Sequence, residues 1–274
     1  MRTCMCYSIL SSIVIGGAAC VPPTEPPRLP PGTASVSGRI RDGVGQAVSG
    51  VSVRVPVRTG YYGATTNSQG KFEIIVPLTG LQNVSPVAVF AVKDGFRPYY
   101  AWYTELAEGA SYIFSTPDDR PFTELDVGEF VPPGLVTLVH LGDGTYSGSA
   151  NSQLQVDARG TDLAYHITTW TPELEAFATR VVVTFSARGI ETTQPDGGCP
   201  GNAVVVITDA GVYEWATPSN SDPSGDFSGY ALAYNLPSIQ PGQDIYLRLI
   251  SGAWADGDQG DDFEIAGVLV RFEP

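Results

Sequence analysis

The chain is predicted to be all-β, folded as two β-sandwiches in series, and three observations predict it. Apolar residues recur at every second position over short runs, the period of a strand with one face buried. The 31 glycines and 22 prolines punctuate those runs, and the apolar content is rich in Val, Ile, Tyr and Phe, which suit a pleated surface. Paired prolines in Val131-Pro132-Pro133-Gly134 interrupt the pattern near its middle, where a boundary with few crossing contacts is expected. At 274 residues and 43% hydrophobic composition, the chain can bury a core on each side of it.

The first residues, MRTCMCYSILSSIVIGGAAC, carry one Arg, an apolar stretch from Tyr7 to Ile15, and then small residues. That order is an export signal over residues 1–19, too short to span a membrane as a lasting helix and removed after export. Gly-Ala-Ala-Cys resembles a bacterial lipoprotein box, although Gly17 stands where a large aliphatic residue is usual. The resemblance implies a lipid on Cys20 and anchoring to a bacterial membrane, in the first instance the outer one; plain secretion is the alternative. Cys4 and Cys6 leave with the signal, so only Cys20 and Cys199 remain, and a disulfide between them is the competing use. Residues 20–33 are Pro-rich and form a semi-extended spacer.

In the first sandwich, residues 34–131, Val36, Gly38 and Ile40 share a face, as do Val51, Val53, Val55 and Val57, and then Phe72, Ile74 and Val76. Asp42-Gly43-Val44-Gly45 and Asn67-Ser68-Gln69-Gly70 supply the turns. Further strands are expected over residues 87–92, 97–103 and 122–130. In the second, residues 135–274, eight strands are expected: 135–141, 153–157, 163–170, 180–187, 203–208, 229–234, 245–250 and 263–272. Thr171 followed by Pro172 reads as the cap and first position of one helical turn.

The stretches VSGRIRDGVGQAVSGVSVRV, TTNSQGKFEIIVP and AVKDGF together resemble the carboxypeptidase regulatory-like domain, a transthyretin-like Greek-key sandwich found in many exported bacterial proteins. Asn67 stands where that family commonly has Asp. The resemblance implies a non-catalytic module and, through its kinship of fold with starch-binding-like domains, carbohydrate binding. HLGDGTYSGSANSQLQ, TPELEAFATRVVVTFSARGI and DDFEIAGVLVRF resemble the galactose-binding-like jelly rolls of carbohydrate-binding modules. In several of those, a structural calcium ion lies between an early loop and carboxylates just before the last strand.

A formal charge of -14, with no cluster of Lys and Arg, excludes nucleic acid as a partner and leaves cations as the natural counterpart. Asp256, Asp258, Asp261, Asp262 and Glu264 fall within nine residues, so the segment is either solvated or has something positive among its acids. Calcium takes six to eight oxygens at about 2.3 to 2.6 Å, and a Gly-bearing acidic loop can offer carboxylates and carbonyls together. The candidate ligands are Asp256, Asp258, Asp261 and Asp262 with Asp143 from the early loop; a solvated acidic loop that protects a strand edge is the competing reading.

Catalytic signatures are weak. Gly144-Thr145-Tyr146-Ser147-Gly148 has the wrong spacing for a nucleophile elbow, and only His140 and His166 could serve a triad. Neither a zinc-binding His pair on a helix nor a four-cysteine arrangement is present. A glycosidase needs two carboxyls about 5 to 9 Å apart, which any acidic chain could supply. Aromatic residues are the stronger lead: Tyr100 and Trp102 share a strand face, and Tyr213 and Trp215 lie in a second aromatic stretch. Such rings either stack on sugars or anchor a protein interface, or else they cover the open side of a small sandwich or fill the seam between the two modules. The expected function is a non-enzymatic, envelope-anchored binding protein for glycan; a structural or assembly component that binds protein, and an accessory or weak polysaccharide hydrolase, are the alternatives.

Overall fold

The structure is a computed structural model that describes residues 28–57, 60–81, 87–117, 120–136, 138–141, 162–189, 203–208, 211–216, 227–236, 239–250 and 263–274. It is all-β, two sandwiches in series. Among the described residues seven strands build the first: β1 (Thr33–Arg39), β2 (Ser52–Val57), β3 (Gly60–Thr65), β4 (Lys71–Pro77), β5 (Val87–Val92), β6 (Tyr99–Tyr103) and β7 (Ser111–Ile113). They form one sheet in the order β4-β1-β7 and a facing sheet in the order β3-β2-β5-β6. Ala34 and Val36 lie opposite Val76 and Ile74, and this apolar face closes the core with Val53, Val55, Val89 and Ala91 of the other sheet. Gly38 is required there: a Cβ on it would stand 1.9 Å from the carbonyl oxygen of Phe114. The Asn67 turn closes as its sequence predicts, with Oδ1 accepting from the backbone N–H groups of Gln69 and Lys71.

The second sandwich adds β8 (Glu129–Phe130), β9 (Val139–Leu141), β10 (Asp162–Thr169), the helical turn α1 (Pro172–Phe177), β11 (Arg180–Arg188), β12 (Ala203–Thr208), β13 (Gly211–Ala216), β14 (Ser228–Asn235), β15 (Asp244–Ile250) and β16 (Phe263–Glu273). One sheet runs β10-β15-β12-β13; the other runs β14-β11-β16, with β8 and β9 both on the far edge of β16. Val181, Val183, Val268 and Val270 pack on Val204, Val206, Leu247 and Leu249 to make its core. Tyr234 is buried within it and donates its hydroxyl to the Val204 carbonyl at 2.6 Å.

The boundary departs from expectation. Of the expected 122–130 strand, Glu129 and Phe130 form a strand and pair with Arg271 and Val270 of the second sandwich, while Glu124 makes an isolated bridge to Phe96 of the first. The chain turns before them, where the Glu129 N–H donates to the Asp126 carbonyl, while Phe122 stays behind in the first core. Pro132 and Pro133 therefore bend the chain between two short strands on one edge of β16. Of the expected 135–141 strand only Val139–Leu141 forms, after a 3-10 turn over Pro133–Leu135. The expected strand at 153–157 lies outside the described residues.

Candidate functional site

Strand β5 shows where the two sandwiches meet. Its residues Val87, Ala88, Val89, Phe90, Ala91 and Val92 are all buried, which an antiparallel strand achieves only when both faces of its sheet are covered. Ala91 lies opposite Val53 and so faces the first core. Ala88 and Phe90 face the other way, opposite Trp102 and Tyr100 of β6. Across the seam stands the outer face of β11 and β16, bearing Ser186, Arg188, Glu264 and Ala266, and all four are buried.

The contacts are specific. The Tyr100 and Ser186 hydroxyls are hydrogen-bonded at 2.6 Å. Trp102 stacks on Phe227, the residue preceding β14, with centroids 4.0 Å apart and planes at 18°. The Arg188 guanidinium lies 4.9 Å over the same Phe227 ring and is ion-paired with Glu264, its cross-strand partner. The side chains of this pair are 3% and 1% exposed, so the two charges offset one another away from water. A positive group therefore does sit at the end of the acidic run, and it serves Glu264. Gly267 follows at φ +63°, and a Cβ there would stand 2.3 Å from Cε1 of Tyr100. Only a residue without a side chain lets the ring approach β16 this closely.

A second link spans the boundary. Arg97 Nε donates to Glu129 Oε2 at 2.7 Å and Nη2 to Glu129 Oε1 at 2.8 Å, a two-pronged pairing, and Nη2 also reaches Asp126 Oδ2 at 2.5 Å. The Glu129 hydrogen bond, reinforced by the charges of Glu129 and Asp126, outweighs desolvation and raises the Arg97 pKa above its ordinary value. Beside the seam lies a half-open groove of about 690 Å³, lined by Ser52, Arg54, Lys93 and Phe96 from the first sandwich and Leu125 and Pro133 from the boundary.

Tyr100 and Trp102 thus lie in the seam, each half-buried. Tyr213 and Trp215 fall on β13, in the other sheet of the second sandwich. Cys20, Asp143, Asp256, Asp258, Asp261 and Asp262 lie outside the described residues. Leu141, which precedes the loop carrying Asp143, and Phe263, which follows the acidic run, are cross-strand partners. Among the described residues no group of three or more His, Cys, Asp and Glu could hold a metal ion, and no helix is long and apolar enough to cross a membrane. His166 lies on the edge strand β10, its Nε2 3.2 Å from Asp244 Oδ1, which also accepts from the Thr169 hydroxyl at 2.6 Å. Hydrogen bonding from Thr169, then from His166, holds the Asp244 carboxyl below its ordinary pKa.

Ser186, Arg188, Phe227 and Gly267 are the seam residues that sequence reasoning passed over. The signal available was Arg188 closing the apolar run of β11 and Glu264 falling inside the start of the apolar run of β16.

No family model and no curated protein matches the chain. Among solved structures it is similar to the full-length major pilin SpaD from Corynebacterium diphtheriae, at 11% identity over 86% of this chain and 56% of that one, with a TM-score of 0.23. It is similar also to BcpA, the major pilin subunit of Bacillus cereus, at 8% identity over 88% of this chain and 59% of that one, with a TM-score of 0.22. A Bacteroides fragilis protein described as membrane-associated and of unknown function shares 11% identity over 89% of this chain and 98% of its own, with a TM-score of 0.23. The chain spans less than two thirds of either pilin, and likenesses this low carry no functional argument.

Proposed function

We propose that this protein is an exported, non-enzymatic structural component of a bacterial cell envelope, which holds two β-sandwiches as one rigid unit and assembles with other protein. The observation that supports this reading is the seam. Tyr100 and Trp102, the rings the sequence offers as a ligand platform, are engaged by Ser186 and Phe227 of the second sandwich. A stacked aromatic pair contributes about 0.5 to 1.5 kcal/mol beyond its buried area, and a desolvated cation over a ring about 2 kcal/mol. Contacts of that kind, with the Arg97–Glu129 pairing at the boundary, resist the relative motion that is the default for two linked domains.

Export rests on residues 1–19, and the anchor on a lipid at Cys20 followed by the Pro-rich spacer to residue 33. A calcium ion held by Asp143, Asp256, Asp258, Asp261 and Asp262 would stiffen the same unit; the pairing of Leu141 with Phe263 is what supports it. The experiment is recovery of the protein from the envelope of its host after mild cross-linking. Protein partners should be recovered with it, while glycan arrays and polysaccharide turnover assays read blank. A glycan bound and then lost on Trp102→Ala, or turnover abolished by one carboxylate substitution, would contradict the reading.

A further inference from the structure

Strand β1 is the middle strand of its sheet, and the chain enters it directly from the Pro-rich stretch that ends at residue 33. On one side it pairs antiparallel with β4 over its whole length, from Thr33 opposite Pro77 to Arg39 opposite Lys71. On the other it pairs parallel with β7, Ser35 to Ser37 lying opposite Ser111 to Ile113. The parallel contact runs past both ends of β7. Before it, the Gly109 N–H donates to the Thr33 carbonyl at 2.8 Å and the Ser35 N–H to the Ala110 carbonyl at 2.9 Å. Beyond it, the Phe114 N–H donates to the Ser37 carbonyl at 2.9 Å, and side chains then continue the ladder. Ser115 Oγ accepts from the Arg39 N–H at 3.0 Å; Thr116 Oγ1 accepts from the Arg41 N–H at 2.8 Å and donates to the Arg41 carbonyl at 3.1 Å. The Phe122 N–H closes the run on the same carbonyl at 3.0 Å.

The chain therefore enters the first sandwich beside one end of this run and leaves it beside the other, from Thr33 to Arg41, about 25 Å at ~3.3 Å per residue. Because β1 and β7 are parallel, tension between the residues before Thr33 and those after Phe122 draws the two strands lengthwise past each other. All the bonds between them, evenly spaced in a parallel pair, then carry the load together. Two strands pulled apart from a shared end lose their bonds one at a time. The second sandwich has that second arrangement: β8 and β16 are antiparallel, and the Phe272 N–H donates to the Gly128 carbonyl at 2.9 Å, so residues 128 and 274 lie toward one end. Water competes little for the rungs of the first sandwich. Ser35, whose hydroxyl donates to Ser111 Oγ at 2.9 Å, and Thr116 are both buried.

We infer that the first sandwich is a tension-bearing clamp, loaded along the axis of β1, with the Ser115 and Thr116 hydroxyls as its last rungs. The inference rests on the reading of an envelope component held through the residues before β1, and it states the direction in which that component is built to be pulled.

The test is single-molecule force spectroscopy of the full chain, its own cysteines replaced by serine, held through one pair of introduced cysteines at a time. Arg28→Cys with Val127→Cys loads β1 lengthwise, whereas Arg28→Cys with Glu105→Cys pulls β1 and β7 apart from their shared end; all three positions are exposed. The lengthwise rupture force should exceed the peeling force by about twofold or more, since several bonds resist together in one geometry and singly in the other. The released chain from residue 28 to residue 127, roughly 300 Å when extended, identifies the first sandwich as the part that yields. Ser115→Ala with Thr116→Val removes the far rungs, so it should lower the lengthwise force and leave the peeling force unchanged, because peeling starts at Thr33. Circular dichroism melts establish that the variants are folded, and Ser115→Ala alone takes the place of the pair if the pair is not. Equal forces in the two geometries, or a proportionate loss in both on substitution, which a merely stabilising role would give, overturns the inference. Equal forces from a chain that still brings protein partners out of the envelope remove the clamp and leave the assembly reading intact. A strong lengthwise force from a chain without such partners keeps the clamp and counts against assembly.

Discussion

Gly267→Ala is the sharpest perturbation of the seam. At φ +63° any side chain adds left-handed strain of about 1 to 2 kcal/mol. The new methyl would also stand 2.3 Å from Cε1, 2.9 Å from Cδ1 and 3.1 Å from Cζ of Tyr100, where carbon contacts need about 3.5 to 4.0 Å. The ring must therefore retreat by roughly 1 Å or more. It cannot do so freely, because its hydroxyl is bonded to Ser186 and its faces and edges meet Phe90 and Trp102 with centroids 5.9 Å away. Overpacking costs about 1 to 3 kcal/mol and the lost hydrogen bond about 1 kcal/mol, so the whole effect is about 3 to 6 kcal/mol. In a Tyr100→Ala background the clash is gone and only the strain of about 1 to 2 kcal/mol remains. Urea titration followed by far-UV circular dichroism on the four chains of this cycle gives the coupling, expected at about 2 to 4 kcal/mol. Equal costs of Gly267→Ala in both backgrounds would refute the close approach of Tyr100 to β16.

The other predictions address the buried charges, the helical turn, the acid limb and the ion. Arg188→Met removes the cation paired with the buried Glu264 carboxylate and should cost about 3 to 5 kcal/mol by urea titration, whereas Arg188→Met with Glu264→Leu should return part of it; equal losses in the single and double variants would count against a buried pair. Thr171→Ala removes the side chain that accepts from the Leu174 N–H and should lower stability by about 1 kcal/mol, seen as a melting temperature about 2 to 4 °C lower. Because Asp244 ionises below its ordinary range when folded, its contribution is complete above the unfolded carboxylate pKa and is lost as pH falls through the lowered folded value. Asp244→Asn should therefore flatten the fall of the urea midpoint below about pH 4, and an unchanged slope would contradict the assignment. If calcium binds, the melting temperature must rise with the free ion and fall on chelation; an unmoved midpoint disposes of the site.

Local chemistry carried the fold in the sequence, and long-range pairing did not. Alternation placed β1, β2, β4, β11, β15 and β16 because each buries one face on its own core, a pattern that needs no knowledge of neighbours. The Asn67 turn and the Thr171 cap were legible for the same reason, since each bonds backbone a few residues away. Strand β3 was not, because Gly60, Gly63 and the adjacent Tyr61 and Tyr62 blur the period of two. In β5 the unbroken apolar run Val87 to Val92 reads as a strand covered on both faces, but nothing local says what covers the second. Arg188 and Glu264 are 76 residues apart and meet only because β11 and β16 are neighbours, which topology decides. Phe227 becomes a seam residue through its stacking on Trp102, 125 positions away by their numbers (227 against 102), and no short window contains both.

The claim at the centre is that the two sandwiches move as one body. The direct measurement is a pulsed electron resonance distance between spin labels at Val44 of the first sandwich and Ala164 of the second, both exposed, in a chain whose own cysteines are replaced by serine. A single narrow distance that broadens on Tyr100→Ala with Trp102→Ala is the predicted result. A broad distribution in the unaltered seam, unchanged by those substitutions, would contradict it.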